Sequence, residues 1–281
     1  NMDINGKIYA KNLREKIKKE IIDLKEKLKK TPKLVVLLIG EYAPSKIYVK
    51  NKKKAAEEVG IISEVIVYKS DVTEKEILEK IKKLNIDESV NGILVQLPLP
   101  SQISNEKIIN SIDPKKDVDG FNPYNVGRLS SGYDAIAPCT PMGCLMLIKE
   151  VEKKLSGKHV VIIGRSNLNG KPMAHLMLKE NCTVTIVHSK TKNIKQECLK
   201  AEILIAAAGV PKLVKEDWIQ KNCIVIDVGI NKLDGKIVGD TDYDNIKNHV
   251  KAITPVPGGV GPMTIACLLQ NTLSCFKKSN Y

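Results

Sequence analysis

Aromatic side chains are scarce in this 281-residue chain: eight Tyr, two Phe and one Trp make up 4% of it. The core must therefore be aliphatic, and the aromatic interleaving that stacks nucleic-acid bases is missing. The seven cysteines, at 139, 144, 182, 198, 223, 267 and 275, contain no C-x-x-C pair, and their number is odd. That argues against a disulfide framework and a cysteine zinc site. Only four histidines occur and none is paired at ligand spacing, so no metal is expected. No apolar run approaches the roughly 20 residues of a membrane-spanning helix. The opening stretch NMDINGKIYAKNLREKIKKEI lacks the apolar centre of a signal peptide. No membrane partner is expected, and the expected location is the cytoplasm.

What is present reads as an ordinary globular protein, 43% hydrophobic and 27% charged. The length suits about two domains of roughly 150 residues. The net charge of +13 comes from 45 basic against 32 acidic residues. Most lysines alternate with glutamates in helical stretches such as REKIKKEIIDLKEKLKK, which reads as solvated helix faces rather than a nucleic-acid patch. No nucleic-acid partner is expected; an anionic small molecule is.

Apolar residues at helical spacing over 8–30 predict an amphipathic helix. KLVVLLIG (33–40) reads as a buried strand. A helix over 45–60 ends at Gly60, and SEVIVYKS alternates like a strand. Thr73 and Glu76 have capping-box spacing. VNGILVQLPLP is a further buried strand, followed by a short helix in SNEKIINSI. Strands alternating with helices predict a parallel α/β sheet. Residues 113–143, rich in Gly, Pro and Asp, show no clear period and read as a functional segment and domain junction. A helix is expected over 143–154, then a strand–glycine turn–helix–strand unit from 157 to 191. AEILIAAAGVP and NCIVIDVGIN add two more strands. TPVPGGVGPMT reads as a loop before a last helix, with Thr264 at the junction.

VVIIGRSNLNGKP (160–172) lies where a dinucleotide-phosphate turn belongs, yet it lacks G-x-G-x-x-G: Gly164 is followed by Arg165 and Ser166, and the next glycine is Gly170. The opening helix still offers free backbone N–H groups to an anion. NAD enzymes usually place an acid about 20 residues beyond the glycines to hold the ribose 2′-OH. Here the strand ends in Val187-His188-Ser189-Lys190. No carboxylate repels a 2′-phosphate, Ser189 can donate to one, and Arg165 can pair with it as a charged fork. The expected cofactor is NADP.

SKIYVKNK (45–52) places Tyr48 and Lys52 four residues apart, on one helix face. A Tyr-x-x-x-Lys pair also marks short-chain dehydrogenases, but there it follows the glycine turn. Here it precedes Gly164 by more than 100 residues, so that reading fails.

Six motifs in order, APSKIYVKNKKKAAEEVGI, GILVQLPLP, KDVDGFNPYNVGRL, PCTPMG, IIGRSNLNGKP and TPVPGGVGPMT, span 43–264. Together they closely resemble the bifunctional methylenetetrahydrofolate dehydrogenase/methenyltetrahydrofolate cyclohydrolase family (FolD-type). One departure is Asn169, where the family usually has an aliphatic residue before the glycine. The resemblance implies a two-domain α/β fold with a cleft: a folate-binding catalytic domain of residues 1–138 plus 265–281, and a Rossmann-type NADP-binding domain of residues 139–264. It implies oxidation of 5,10-methylenetetrahydrofolate to the methenyl form, hydrolysis to 10-formyltetrahydrofolate, tetrahydrofolate one-carbon derivatives as partners, and a homodimer.

Hydride removal releases no proton and needs positioning. Hydrolysis of the methenyl cation needs water added to a carbon between two nitrogens and a proton carried to the leaving one, which calls for a general acid/base. A lysine serves when burial and nearby cations depress its pKa. Lys52 is the candidate on both chemistry and resemblance. Tyr48 is expected to stack on the folate or orient Lys52, Gln96 to hold the lysine's rotamer, and Asp119 to accept from the pterin. Leu97, Pro257, Gly258 and Gly259 are expected to line the substrate, the glycines by letting backbone approach. The resemblance puts Ile230 beside the nicotinamide. As alternatives, Lys50, Lys53 and Lys54 read as solvated, Asp117 or Asp119 as turn residues, and Cys139 as lacking a histidine or a covalent step to serve. Competing readings of the whole are a dehydrogenase without hydrolysis, a non-catalytic NADP-binding module, and a basic nucleic-acid binder.

Overall fold

Runs of Val, Ile and Leu long enough for a strand but too short for a helix make the centres of the two larger sheets of the protein. The structure, a computed structural model, describes residues 2–281. Lys33–Ile39 is the centre of a three-stranded parallel sheet, flanked by Ile62–Tyr68 and Gly92–Val95. Its central strand is buried from Leu34 to Ile39, as a parallel strand covered on both faces must be. Helix Glu74–Ile86 lays Ile77, Ile81 and Leu84 on this sheet, with Val35, Leu37 and Ile93 beneath. Each such side chain contributes about 1.5–3 kcal/mol by leaving water. Thr73 accepts from the Glu76 N–H and the Glu76 carboxylate reaches back to the Thr73 N–H, completing the capping box. Helix Ala43–Val59 starts with Pro44 in its first turn and stops at Gly60, whose φ of +93° closes the C-terminus.

The second sheet has six parallel strands in the order Met2–Asp3, Ala252–Ile253, Ile224–Asp227, Ile203–Ala206, His159–Ile163, Thr183–Val187. The order reverses at His159–Ile163, whose neighbours on both sides come later in the chain. Ligands of open α/β sheets collect at the carboxyl ends of the strands at such a switch point.

Two compact units result. One holds the chain through Lys11, residues 129–133 and Pro138–Cys267; the other holds Asn12–Arg128, Asp134–Ala137 and Leu268–Tyr281. The sequence suggested 1–138 with 265–281 against 139–264; here the start of the chain goes with Pro138–Cys267, because Met2–Asp3 hydrogen bonds as an edge strand to Ala252–Ile253 of the six-stranded sheet. Three further differences stand out. The 113–143 segment contains a helix, Pro123–Ser130, entered through its proline. The last helix is Val260–Asn280, so Thr264 is inside it; Pro262 is tolerated because first-turn N–H groups have no helical partner. Asn231–Leu233 and Lys236–Val238 form a hairpin over a stretch mostly given no element from the sequence. The seven cysteines are buried. Among the described residues no helix is long and apolar enough to cross a membrane, and no cluster of His, Cys, Asp or Glu could hold a metal ion.

Candidate active site

Of the four lysines at 50, 52, 53 and 54, Lys52 alone is half-buried; the other three are exposed. It lies on the helix Ala43–Val59, one turn beyond Tyr48, and its Nζ donates to Gln96 Oε1 at 2.8 Å. Gln96 follows the strand Gly92–Val95, and its backbone N–H still bonds to Leu37 of the central strand. Its Nε2 donates to the Leu97 carbonyl at 3.1 Å. That bond orients the amide and aims its oxygen at the lysine. The Leu97–Pro98 peptide is cis. Tyr48, 46% exposed, presents its ring to solvent beside the lysine.

Asp119 belongs to the same unit and contributes charge to the same place. Burial pushes its carboxyl up to about 6; the Lys52 ammonium pulls it down and the Asp117 carboxylate pushes it further up. No hydrogen bond to the Asp119 carboxylate occurs among the described residues, so its acceptor capacity is unspent. Asp117 is the opposite case. Buried, it accepts from Gly120 N–H, Asn122 N–H and Asn125 Nδ2 at 2.9–3.1 Å, and so folds the loop that carries Asp119. Of the two acids, Asp117 is the turn residue.

In the other unit, the strand His159–Ile163 runs into Gly164, with φ of +117°. A Cβ there would meet the Ala207 carbonyl oxygen at 2.3 Å, and one on Gly170 would meet the Gly164 carbonyl oxygen at 2.2 Å. Glycine is therefore required at both ends of the turn although the usual fingerprint is absent. Ser166 Oγ accepts from the Asn169 N–H at 3.0 Å, and Asn169 makes no side-chain cap to the helix Gly170–Lys179 it precedes. Arg165, Ser166 and Ser189 are exposed. Arg165 Nη1 lies 3.4 Å from His188 Nε2, bringing together the ends of two neighbouring strands. The Lys190 N–H donates to His188 Nδ1 at 3.2 Å. With no carboxylate at this strand end, the residues suit a ribose 2′-phosphate, and the glycine-walled turn suits a pyrophosphate over a helix N-terminus.

Ile230, 58% exposed, follows the strand Ile224–Asp227 in this unit. Pro257, Gly258 and Gly259 form a loop with a cis Val256–Pro257 peptide. A Cβ on Gly6 would lie 1.6 Å from the Gly259 carbonyl oxygen, so the loop rests directly on the start of the first helix, Gly6–Leu28. Thr140 and Thr264 share a hydrogen bond of 2.9 Å beside it. Sequence reasoning missed Asp227 and Asp240. Both are buried and both hold backbone N–H groups at the strand ends. Nothing in their spacing announced this.

The family described as "Tetrahydrofolate dehydrogenase/cyclohydrolase, catalytic domain" matches residues 4–119, and "Tetrahydrofolate dehydrogenase/cyclohydrolase, NAD(P)-binding domain" matches residues 138–280. The bifunctional protein FolD of Pelagibacter ubique is 62% identical over 276 residues, covering 98% of each chain. The crystal structure of the bifunctional FolD of Campylobacter jejuni has a TM-score of 0.96 at 46% identity, over 98% of each chain. The Trypanosoma brucei methylenetetrahydrofolate dehydrogenase-cyclohydrolase, solved with NADP and an inhibitor, has a TM-score of 0.95 at 36% identity, over 100% of this chain and 98% of that one.

Proposed function

The chain belongs to the tetrahydrofolate dehydrogenase/cyclohydrolase family, and we propose that it oxidises 5,10-methylenetetrahydrofolate with NADP+ and hydrolyses the methenyl product to 10-formyltetrahydrofolate. The observation that carries the second half is the 2.8 Å bond from Lys52 to Gln96, which fixes the one half-buried lysine of a lysine-rich helix in a single direction.

The two steps ask different things of the protein. Bound NADP+ supplies the hydride acceptor. The Gly164–Gly170 turn and Ser166 hold its pyrophosphate, Arg165 and Ser189 its 2′-phosphate, and Ile230 packs on its nicotinamide side. Tyr48 stacks on the folate, Asp119 accepts from the pterin N–H groups, and Leu97, Pro257, Gly258 and Gly259 line the substrate. No proton is lost in this step, so these contacts work by orientation. In the hydrolytic step water adds to the cationic carbon. Lys52 takes a proton from that water and returns one to the departing nitrogen, which opens the ring. Gln96 keeps the lysine from swinging toward solvent like its neighbours.

The enzyme is an oxidoreductase and hydrolase of folate one-carbon metabolism. Supply of purine, methionine and histidine biosynthesis, a cytoplasmic location and a homodimeric state belong to the same proposal. Mixing the protein with methylenetetrahydrofolate and NADP+ tests it: NADPH and 10-formyltetrahydrofolate should rise together. NADPH without the formyl product would leave a dehydrogenase alone, and absence of both in folded protein would overturn the assignment.

A further inference from the structure

The tightest polar arrangement at the carboxyl ends of the six-stranded sheet has no role in the function just proposed. Asp240, fully buried, accepts from three successive backbone N–H groups, those of Ala208 (2.7 Å), Gly209 (3.0 Å) and Val210 (3.1 Å). Its Oδ1 also accepts from Asn231 Nδ2 at 2.9 Å. Asp227 does the reciprocal work. It accepts from Gly229 N–H at 3.0 Å, Asp240 N–H at 2.9 Å, Thr241 N–H at 3.0 Å and Thr241 Oγ1 at 2.7 Å. Each carboxylate lies against a glycine of the other's segment. A Cβ on Gly229 would meet Asp240 Oδ1 at 2.1 Å, and one on Gly239 would meet Asp227 Oδ2 at 2.0 Å.

Two consequences follow from the chain path. Ile230 sits between two tied residues: Gly229 is held by Asp227, and Asn231 by Asp240. The 207–210 loop that Asp240 holds is the one whose Ala207 carbonyl confines the Gly164 turn. Three successive N–H groups converging on one point also make an anion-binding concavity. Here the chain's own carboxylate fills it.

We propose that Asp240 is a positioning residue for the dinucleotide: one internal anion occupies the amide cradle after Ile203–Ala206, keeps cofactor phosphate out of it, and sets both the Gly164 turn and Ile230 in register. The inference rests on the cofactor reading given above. Asp240→Asn is the informative change, because it keeps the volume but turns one acceptor oxygen into a donor facing N–H groups. Binding of NADP+ to the full chain is measured by titration calorimetry, alongside KM for each substrate.

Setting a donor against the N–H groups that one carboxylate oxygen had accepted from should weaken NADP+ binding at least about tenfold. KM for NADP+ should rise in step while KM for methylenetetrahydrofolate stays within about twofold, a split that general loosening of the fold would not produce. Asn231→Ala, at a half-exposed position, removes one of the four bonds and should cost about threefold. A folded Asp240→Asn protein, shown by circular dichroism and melting, that binds NADP+ as the wild type does overturns the proposal. Should that variant not fold, unchanged NADP+ affinity in Asn231→Ala overturns it instead. Failure of the wild type to bind NADP+ removes the cofactor reading and this inference together, whereas equal binding by wild type and variants removes only this inference.

Discussion

The lysine region and the dinucleotide region solve the same problem with different parts of the chain. Around Lys52 the groups assigned to chemistry are side chains on regular elements: a lysine on a helix and a glutamine at a strand end, joined by one bond of 2.8 Å. Around Gly164 the working surface is backbone. Its shape depends on glycines that admit close neighbours and on buried carboxylates that hold N–H groups. The difference teaches where each can be damaged. A side-chain site loses one step when one residue changes, whereas a backbone site changes affinity as a whole when any support moves.

The sharpest break in this comparison comes from Lys52→Met. Loss of a general acid/base costs about 10²–10⁴-fold, and it should fall on methenyl hydrolysis measured by itself, with hydride transfer changed only a few-fold. Equal losses in both rates would remove the separate role. Next in size is Arg165→Ala. Removing charged bonds to a phosphate costs about 1.5–3 kcal/mol, or roughly 10- to 150-fold. NADP+ should weaken by that factor while NAD+ is nearly unaffected; an unchanged preference between the two would clear Arg165 of reading the 2′-phosphate. Gln96→Ala should be smaller, at about tenfold or less on hydrolysis, since Lys52 itself remains and loses only its guide. A larger effect on hydride transfer than on hydrolysis would count against that role.

The smallest effect is a pH dependence. The Asp119 carboxyl is raised to about 6 in the folded protein, against about 3.9 for an ordinary aspartate. Between those values the folded state binds more protons than the unfolded one. Its contribution to stability is therefore present below about pH 4 and is lost as pH rises through about 6. The folate should behave oppositely. Its affinity depends on the ionised carboxylate and should fall as pH drops below about 6, and Asp119→Asn should flatten that fall. Identical pH profiles in wild type and Asp119→Asn would detach Asp119 from the pterin.

How legible each region was follows from the same physics. Tyr48, Lys52 and the helix they share were readable because helical spacing fixes which residues are neighbours. Gln96 was readable because a buried apolar run ended at it. The choice of Lys52 over Lys50, Lys53 and Lys54 was not a matter of composition. It rested on the family motif, and the helix phase, which buries Val49, Ala55 and Ala56, agrees with it by leaving Lys52 alone of the four half-buried. Helix Pro123–Ser130 was hidden by its own composition, with a proline at its start and Gly127 within it. The hairpin after Ile230 did have a signal, Asp234-Gly235, whose φ values of +49° and +76° are those of a tight hairpin turn. Asp227 and Asp240 had none. Acidic residues are rarely fully buried, and their partners are backbone groups up to 32 positions away.

The most direct test is a progress curve run side by side on the wild type and Lys52→Met, following NADPH and methenyltetrahydrofolate from methylenetetrahydrofolate and NADP+. The account predicts that the wild type makes NADPH with little methenyl build-up, while the variant accumulates methenyl nearly one for one with NADPH. Accumulation of methenyl to the same extent by both proteins would contradict the assignment of hydrolysis to the lysine held by Gln96.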